Sequence, residues 1–239
     1  MTRRPLRLVL CDAGDPVARW LAGELTARAV HVELVTSGQI LRADRLVHRV
    51  SSSGTDLEID LADGRRLVAA ELAAVVNRLV AVPSDPLGAA PADGEYARQE
   101  RHALWLSFLA GLPCPVLNGP MPLGLSGVWL SGPEWVVRAA RAGLPTAPAH
   151  FDSGGPVPDA LAGRSVPMLV VAGAVFGPAP AAGLADGVRA LAASVGADLL
   201  EVRLRRGAHG GLEVAGATTL PDLRLGGEPV IDHLAGVLA

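Results

Sequence analysis

Apolar runs of strand length alternate along this chain with stretches of helical period. LRLVLC, residues 6–11, is a near-continuous apolar run of the kind buried in parallel sheets. DAGD then turns the chain. Asp15 stands as an N-cap to PVARWLAGELTARA, which carries proline at its first position, so a helix is predicted there. VHVELVT follows as a second strand, and the order strand, helix, strand predicts a βαβ unit with parallel pairing. DLEIDLADGRRL alternates apolar and polar residues around Asp63-Gly64, the pattern of a hairpin. LAAVVNRLV reads as a buried strand carrying Asn77-Arg78, and CPVLNGP as another ending at Asn118. Between them EYARQERHALWLSFLAG repeats apolar residues at three and four spacing, a helix running to about Ala110.

Residues 119–130, rich in Pro, Gly and Leu, form the boundary between a domain over 1–118 and a second part over 119–239. The second part opens on a helix with Ser131 as N-cap, Pro133 in the first turn and Glu134 at the third position, ending near Ala142. FDSGGPVPDALAGRS reads as a loop. PMLVVAGAVFG gives two strands about Gly173, and residues 185–196 have helical spacing. DLLEVRLRR and GGLEVAG pair across Gly207 to Gly210, and EPVIDHLAGVLA is a closing amphipathic helix.

Half of the residues are hydrophobic and 19% charged, so 239 residues can bury a substantial core. A net charge of −3 gives no reason to expect nucleic acid or an anionic membrane as partner. The tight basic clusters, Arg65-Arg66 and Arg203 to Arg206, read as solvated strand ends. No apolar run approaches the length of a membrane span. Cys11 and Cys114, both at strand edges, predict buried, reduced thiols and a cytoplasmic chain. All 21 basic residues are arginine; there is no lysine. That excludes a Schiff-base lysine, a P-loop lysine and any step needing an ammonium on a flexible stem.

Chemistry is expected where parallel strands end. Asp12, Gly14 and Asp15 follow the first strand, though CDAGD is no dinucleotide fingerprint. Asn77, Arg78 and Asn118 fall at the carboxyl ends of other strands, where Asn and Arg can orient a carboxylate or phosphate, or can simply pair and turn the chain. Tyr96 and Trp135 would supply apolar walls to such a crevice. The six histidines lack metal-binding spacing, and no GxSxG occurs.

AAVVNRLVAVP, PVLNGPMPL with EWVVRAARAGLPTAP, and PMLVVAGAVFG with VGADLLEVRLRR and GGLEVAGATTLPDL together resemble the ATP-grasp superfamily. The likeness is to the branch of ribosomal-protein glutamate ligases and peptide-tailoring ligases, and it spans most of the chain. It implies an α/β protein: an N-terminal parallel-sheet, Rossmann-like pre-ATP-grasp domain, then a truncated ATP-grasp-like α+β part. It also implies a lysine near Ser131–Trp135, a second on a lid strand, and a Leu-Glu-Val-Asn run holding magnesium. Here both lysines are absent. Glu213 remains as a residual metal-site candidate, but Ala215-Gly216 stands at the asparagine position, and Glu201 lacks the expected aspartate placement. Only 19 residues, 149–167, separate Pro148 from Met168, too few for the family's lid.

Phosphoryl transfer rests on positioning and charge neutralisation, and these departures remove both. The expectation is a non-catalytic ATP-grasp-like protein with neither ATP nor magnesium as cofactor. Its partner would be a peptide or small molecule, a tailoring enzyme, or a second copy. The alternative is an ATP- and magnesium-dependent carboxylate–amine ligase with a rearranged site built on Arg138, Arg164 and Glu213.

Overall fold

β1 (Leu6–Cys11) is buried at every position, as its apolar run requires. Its one charged member, Arg7, donates to the backbone carbonyls of Pro5 and Leu238. The computed structural model describes residues 5–52, 54–81, 91–122, 124–147, 165–178, 182–207 and 210–239. These fall into two compact units, one through Gly127 with Leu238–Ala239, the other Val128–Val237. Residues 119–127 therefore go with the first unit. Gly127 N donates to Gly119 O at 3.0 Å, and Leu125 enters that unit's core.

In the first unit α1 (Pro16–Ala27) follows β1, and Asp15 Oδ1 accepts from Val17 N at 2.8 Å and Ala18 N at 3.0 Å. Its buried face is Val17, Ala18, Leu21 and Leu25, and fully burying each leucine contributes about 1.5–3 kcal/mol. β2 (Val32–Thr36) pairs parallel with β1. A short helix, α2 (Ser37–Leu41), begins at Thr36, which exchanges capping hydrogen bonds with Gln39. Then come β3 (Arg45–Ser51), β4 (Gly54–Asp60) and β5 (Arg66–Val68), an antiparallel sheet in the order β3-β4-β5. The Asp63-Gly64 hairpin forms as read, with Gly64 at φ +85, a left-handed conformation glycine adopts without Cβ strain.

β6 (Leu72–Arg78), α3 (Pro91–Ala110) and β7 (Val116–Leu117) complete the unit. The main sheet has the order β2-β1-β6-β7, all parallel. One core joins both sheets to α3: Leu8, Leu10, Val75, Leu57 and Ile59 pack with Trp105, Phe108 and Leu109. Trp105 and Phe108 meet edge to face at 5.6 Å.

The second unit holds α4 (Gly132–Arg141), β8 (Val166–Val171), β9 (Ala174–Phe176), α5 (Ala182–Ser194), β10 (Leu199–Arg206), β11 (Leu212–Thr218) and α6 (Gly227–Val237). Its antiparallel sheet runs β11-β10-β8-β9. At the start of α4 the Glu134 carboxylate accepts from Ser131 N at 2.8 Å and Ser131 Oγ at 2.6 Å. These bonds, the hydroxyl's first, hold the carboxyl below its usual range. Alternation divides the sheet cleanly. Met168, Val170, Leu200, Val202, Leu204 and Val214 form one core with α4 and α5. The predicted loop over 151–165 falls, except for its last residue, outside the described residues. No helix among the described residues is long and apolar enough to cross a membrane.

The thiols differ from each other. Cys11 is buried, and desolvation, then the charges of Asp15 and Asp12, push it up to about 11. Cys114, expected to be buried as well, is only partly so, because it precedes β7 instead of lying within it. Burial raises it too. A thiol reagent applied to the native protein is expected to label Cys114 first, and Cys11 at the rate of unfolding. Equal labelling rates would contradict this placement.

Candidate functional site

The carboxyl ends of β1, β6 and β7 share one edge of the parallel sheet, the position at which open α/β sheets hold ligands. Asn77, Arg78 and Asn118 all lie at this edge, but the Asn77 side chain reaches Asn118 while that of Arg78, the next residue along β6, reaches Asp15. Each is almost wholly buried. Asn77 Nδ2 donates to Asn118 O at 2.9 Å and to Leu125 O at 2.6 Å, while Asn77 Oδ1 accepts from Leu79 N at 3.3 Å. Ser126 Oγ donates to Asn77 O at 2.6 Å. Asn118 has φ +55, so it makes the left-handed turn out of β7 that an asparagine tolerates.

Arg78 Nε donates to Asp15 Oδ2 at 2.7 Å, an ion pair with side chains 5% and 14% exposed. The carboxylate of Asp15 thus caps α1 with one oxygen and holds β6 with the other. Asp12 ties the same edge further: Oδ1 accepts from Ser37 Oγ and Oδ2 from Val80 N, both at 2.9 Å. The polar groups of this edge are joined mainly to one another. Ser126 and Ser37, which sequence reasoning passed over, are part of the network. Only long-range folding brings them to it, since Ser126 lies 49 residues from Asn77.

Tyr96 stands apart on α3, 66% exposed. Trp135 belongs to the other unit. Its indole is buried in that unit's core beside Ala139, on the inward face of α4. The structure therefore gives it a packing role in place of an open wall.

The second unit carries its polar chemistry on the face of the sheet turned away from α4 and α5. Glu201, Arg203, Arg205 and Glu213 alternate with core residues and so lie on that face. Glu201 is buried, its side chain 4% exposed. One oxygen accepts from Arg203 Nε at 2.7 Å and the other from Asp222 N at 2.9 Å. Asp222 in turn caps the 3-10 turn Leu223–Gly226 and pairs with Arg224 at 2.7 Å. Half-buried Glu213 stands opposite Arg205, and Ala215 is the extra residue of a bulge between Arg203 and Leu204. Among the described residues no three His, Cys, Asp or Glu side chains gather as a metal ion needs.

Beside this patch lies a cavity of about 350 Å³ lined by Pro167, Leu169, Val175, Phe176, Leu225 and Pro229. Leu169 pairs with Glu201 across the sheet, so the cavity and the carboxylate share a face. Its volume falls within the range of sites that take a small ligand or a side chain. His233 packs against Phe176 with ring centroids 5.6 Å apart.

No family model and no curated protein matches the sequence, but solved structures share its fold. The Chryseobacterium gregarium RiPP-associated ATP-grasp ligase, in complex with ADP and a leader and core peptide, aligns with TM-score 0.72 and 9% identity over 98% of this chain and 96% of that one. Macrocyclase MdnC from Microcystis aeruginosa MRC, bound with precursor peptide MdnA, gives 0.70 and 12% over 98% and 99%. ATP-grasp ligase PsnB, complexed with precursor peptide PsnA2 and AMPPNP, gives 0.71 and 15% over 100% and 98%. The fold of this chain is thus similar to that of these ATP-grasp ligases.

Proposed function

We propose that this chain uses the ATP-grasp fold to bind a peptide and does not bind or turn over ATP. The state of Glu201 carries the reading. A magnesium ligand needs a carboxylate with lone pairs to spare and a neighbourhood of negative charge. Glu201 already accepts at both oxygens, and one donor is the cation Arg203. Glu213 stands opposite a second cation, Arg205, and the bulge position beside it is an alanine. These residues do not suit a magnesium ion. The absence of lysine and the short 149–167 connection support the same reading.

What remains is a sheet face with a cavity walled by apolar side chains beside a neutralised charged patch. A peptide suits it, one apolar side chain entering between Leu169, Phe176 and Leu225 while its backbone meets the polar rim. The solved structures of similar fold that hold precursor peptides support this class of partner. The testing experiment is a titration of the full chain with Mg-ATP, expected to show no binding.

A further inference from the structure

β2 is the outermost strand of the parallel sheet, and its carboxyl end is finished differently from those of β1, β6 and β7. α2 leaves it directly at Ser37, and the turn between β4 and β5 stands beside α2. Between them lies a cavity of about 270 Å³ lined by Gln39, Arg42, Leu61, Ala62 and Asp63. Leu61, buried in the unit's core, and Ala62 give it an apolar wall. The volume lies just below the roughly 300–1,000 Å³ of sites that take drug-sized ligands, so it admits a smaller molecule.

The polar side chains around the cavity divide into those already committed and those that are not. Asp63 is committed. Arg65 donates to it from Nε at 3.0 Å, from Nη2 at 2.7 Å and from its backbone N at 3.1 Å, which holds the carboxyl below its ordinary range. Arg65 is itself tied to Glu33 at 3.3 Å and to Leu34 O at 3.2 Å. Gln39 Oε1 accepts from Thr36 N and Thr36 Oγ1, which fixes its amide. Nε2 then points to Asp63 at 3.4 Å and keeps a second N–H. Arg42 is the contrast. Its guanidinium lies over Gly38, with Nη2 3.5 Å from where a Cβ of that glycine would stand. Among the described residues no carboxylate or carbonyl accepts from it. Every uncommitted side-chain group lining the cavity is therefore a donor, and one of them is a cation.

We propose that this cavity binds a carboxylate carried on a short apolar body, Arg42 and Gln39 donating to the anion while Leu61 and Ala62 receive the body. The guanidinium offers parallel N–H groups in one plane, the geometry a carboxylate matches. A single cation balances a monoanion and leaves a phosphate dianion half-neutralised. Asp63 does little to repel the anion, because Arg65 neutralises it at 2.7 Å. The molecule is small and Arg42 is exposed, so the dissociation constant is expected on the order of 1 mM. A free acid and the terminal carboxylate of a peptide present this same chemistry.

An NMR titration of the full chain with isovalerate tests this, followed at the backbone amides of Gly38 to Arg42 and Leu61 to Gly64. Saturable shifts centred on these two segments are expected. Isovaleramide, the neutral isostere, is expected to bind about tenfold more weakly, and inorganic phosphate no more tightly than isovalerate. Arg42→Gln removes the cation and is expected to weaken isovalerate about tenfold with the thermal midpoint unchanged. Ala62→Asp, which sets a like charge on the exposed wall, serves the same purpose should Arg42→Gln fail to fold. A blocked dipeptide ending in a free leucine carboxylate separates the two sources. Tighter binding than isovalerate marks a chain terminus and weaker binding a free acid, and either supports the site. Shifts that do not saturate by about 50 mM isovalerate overturn the proposal. So does equal binding of isovaleramide, tighter binding of phosphate, or unchanged affinity in either variant that folds.

Discussion

Arg78→Ala is expected to destabilise the protein by about 3 kcal/mol, the lower end of what removing one partner of a buried ion pair costs. The guanidinium is 5% exposed and its partner Asp15 14%. Truncation leaves the second oxygen of Asp15 without its strong donor in a poorly hydrated place. The loss stays at the lower end because the first oxygen keeps Val17 N and Ala18 N, so the carboxylate remains half-satisfied. Urea unfolding reads the effect as a fall in midpoint with unchanged slope. Arg78→Lys should recover part of the loss, since an ammonium keeps the charge but not the planar donor geometry. A loss under about 1 kcal/mol for Arg78→Ala, in the range of exposed pairs, would return Arg78 to the role of ligand-contacting residue.

Glu201→Ala is expected to cost about 2 kcal/mol, more than most surface changes and less than Arg78→Ala. Glu201 itself is buried, but Arg203 is 36% exposed and regains water when its partner is removed. The backbone N–H of Asp222 loses its acceptor as well, which loosens the entry to the 3-10 turn and α6. Glu201→Gln keeps an acceptor for Asp222 N and should restore roughly half. The contrast with a metal ligand is direct. A carboxylate poised for magnesium repels its neighbours when no ion is bound, so its removal raises the stability of the metal-free protein. A stabilised Glu201→Ala chain would contradict the structural role given to this residue.

The sequence carried the βαβ unit because burial on both faces leaves a near-continuous apolar run in β1 and over the first five residues of β6. It carried the Asp63-Gly64 hairpin because that turn demands a residue with left-handed backbone. β3 was not legible: RLVHRVS is an edge strand whose apolar face is only half covered, so its alternation marks no deep core. α2 is too short to show a helical period, although Thr36 and Gln39 held the capping signal. Polar residues at strand ends were legible as positions but not as roles. Arg78 meets Asp15 across 63 residues and Asn77 meets Leu125 across 48, and no local pattern distinguishes such a tie from a ligand contact. The spacing of Trp135 to Ala139 marks the inward face of α4, a helical period that favours core over crevice wall. Glu201 was recognised as a carboxylate of possible metal-binding type, but its engagement by Asp222, 21 residues on, depends on the fold alone.

On the proposed reading this chain does not take ATP. Thermal unfolding of the full chain with and without millimolar Mg-ATP tests it most directly. A ligand present at 100 times its dissociation constant stabilises the native state by about 2.7 kcal/mol, a readily measured shift. Coincident unfolding curves are expected, with magnesium alone and ATP alone as controls. An upward shift that requires both ATP and magnesium, and that disappears in Glu201→Ala or in Glu213→Ala, would contradict it and establish the rearranged ligase instead.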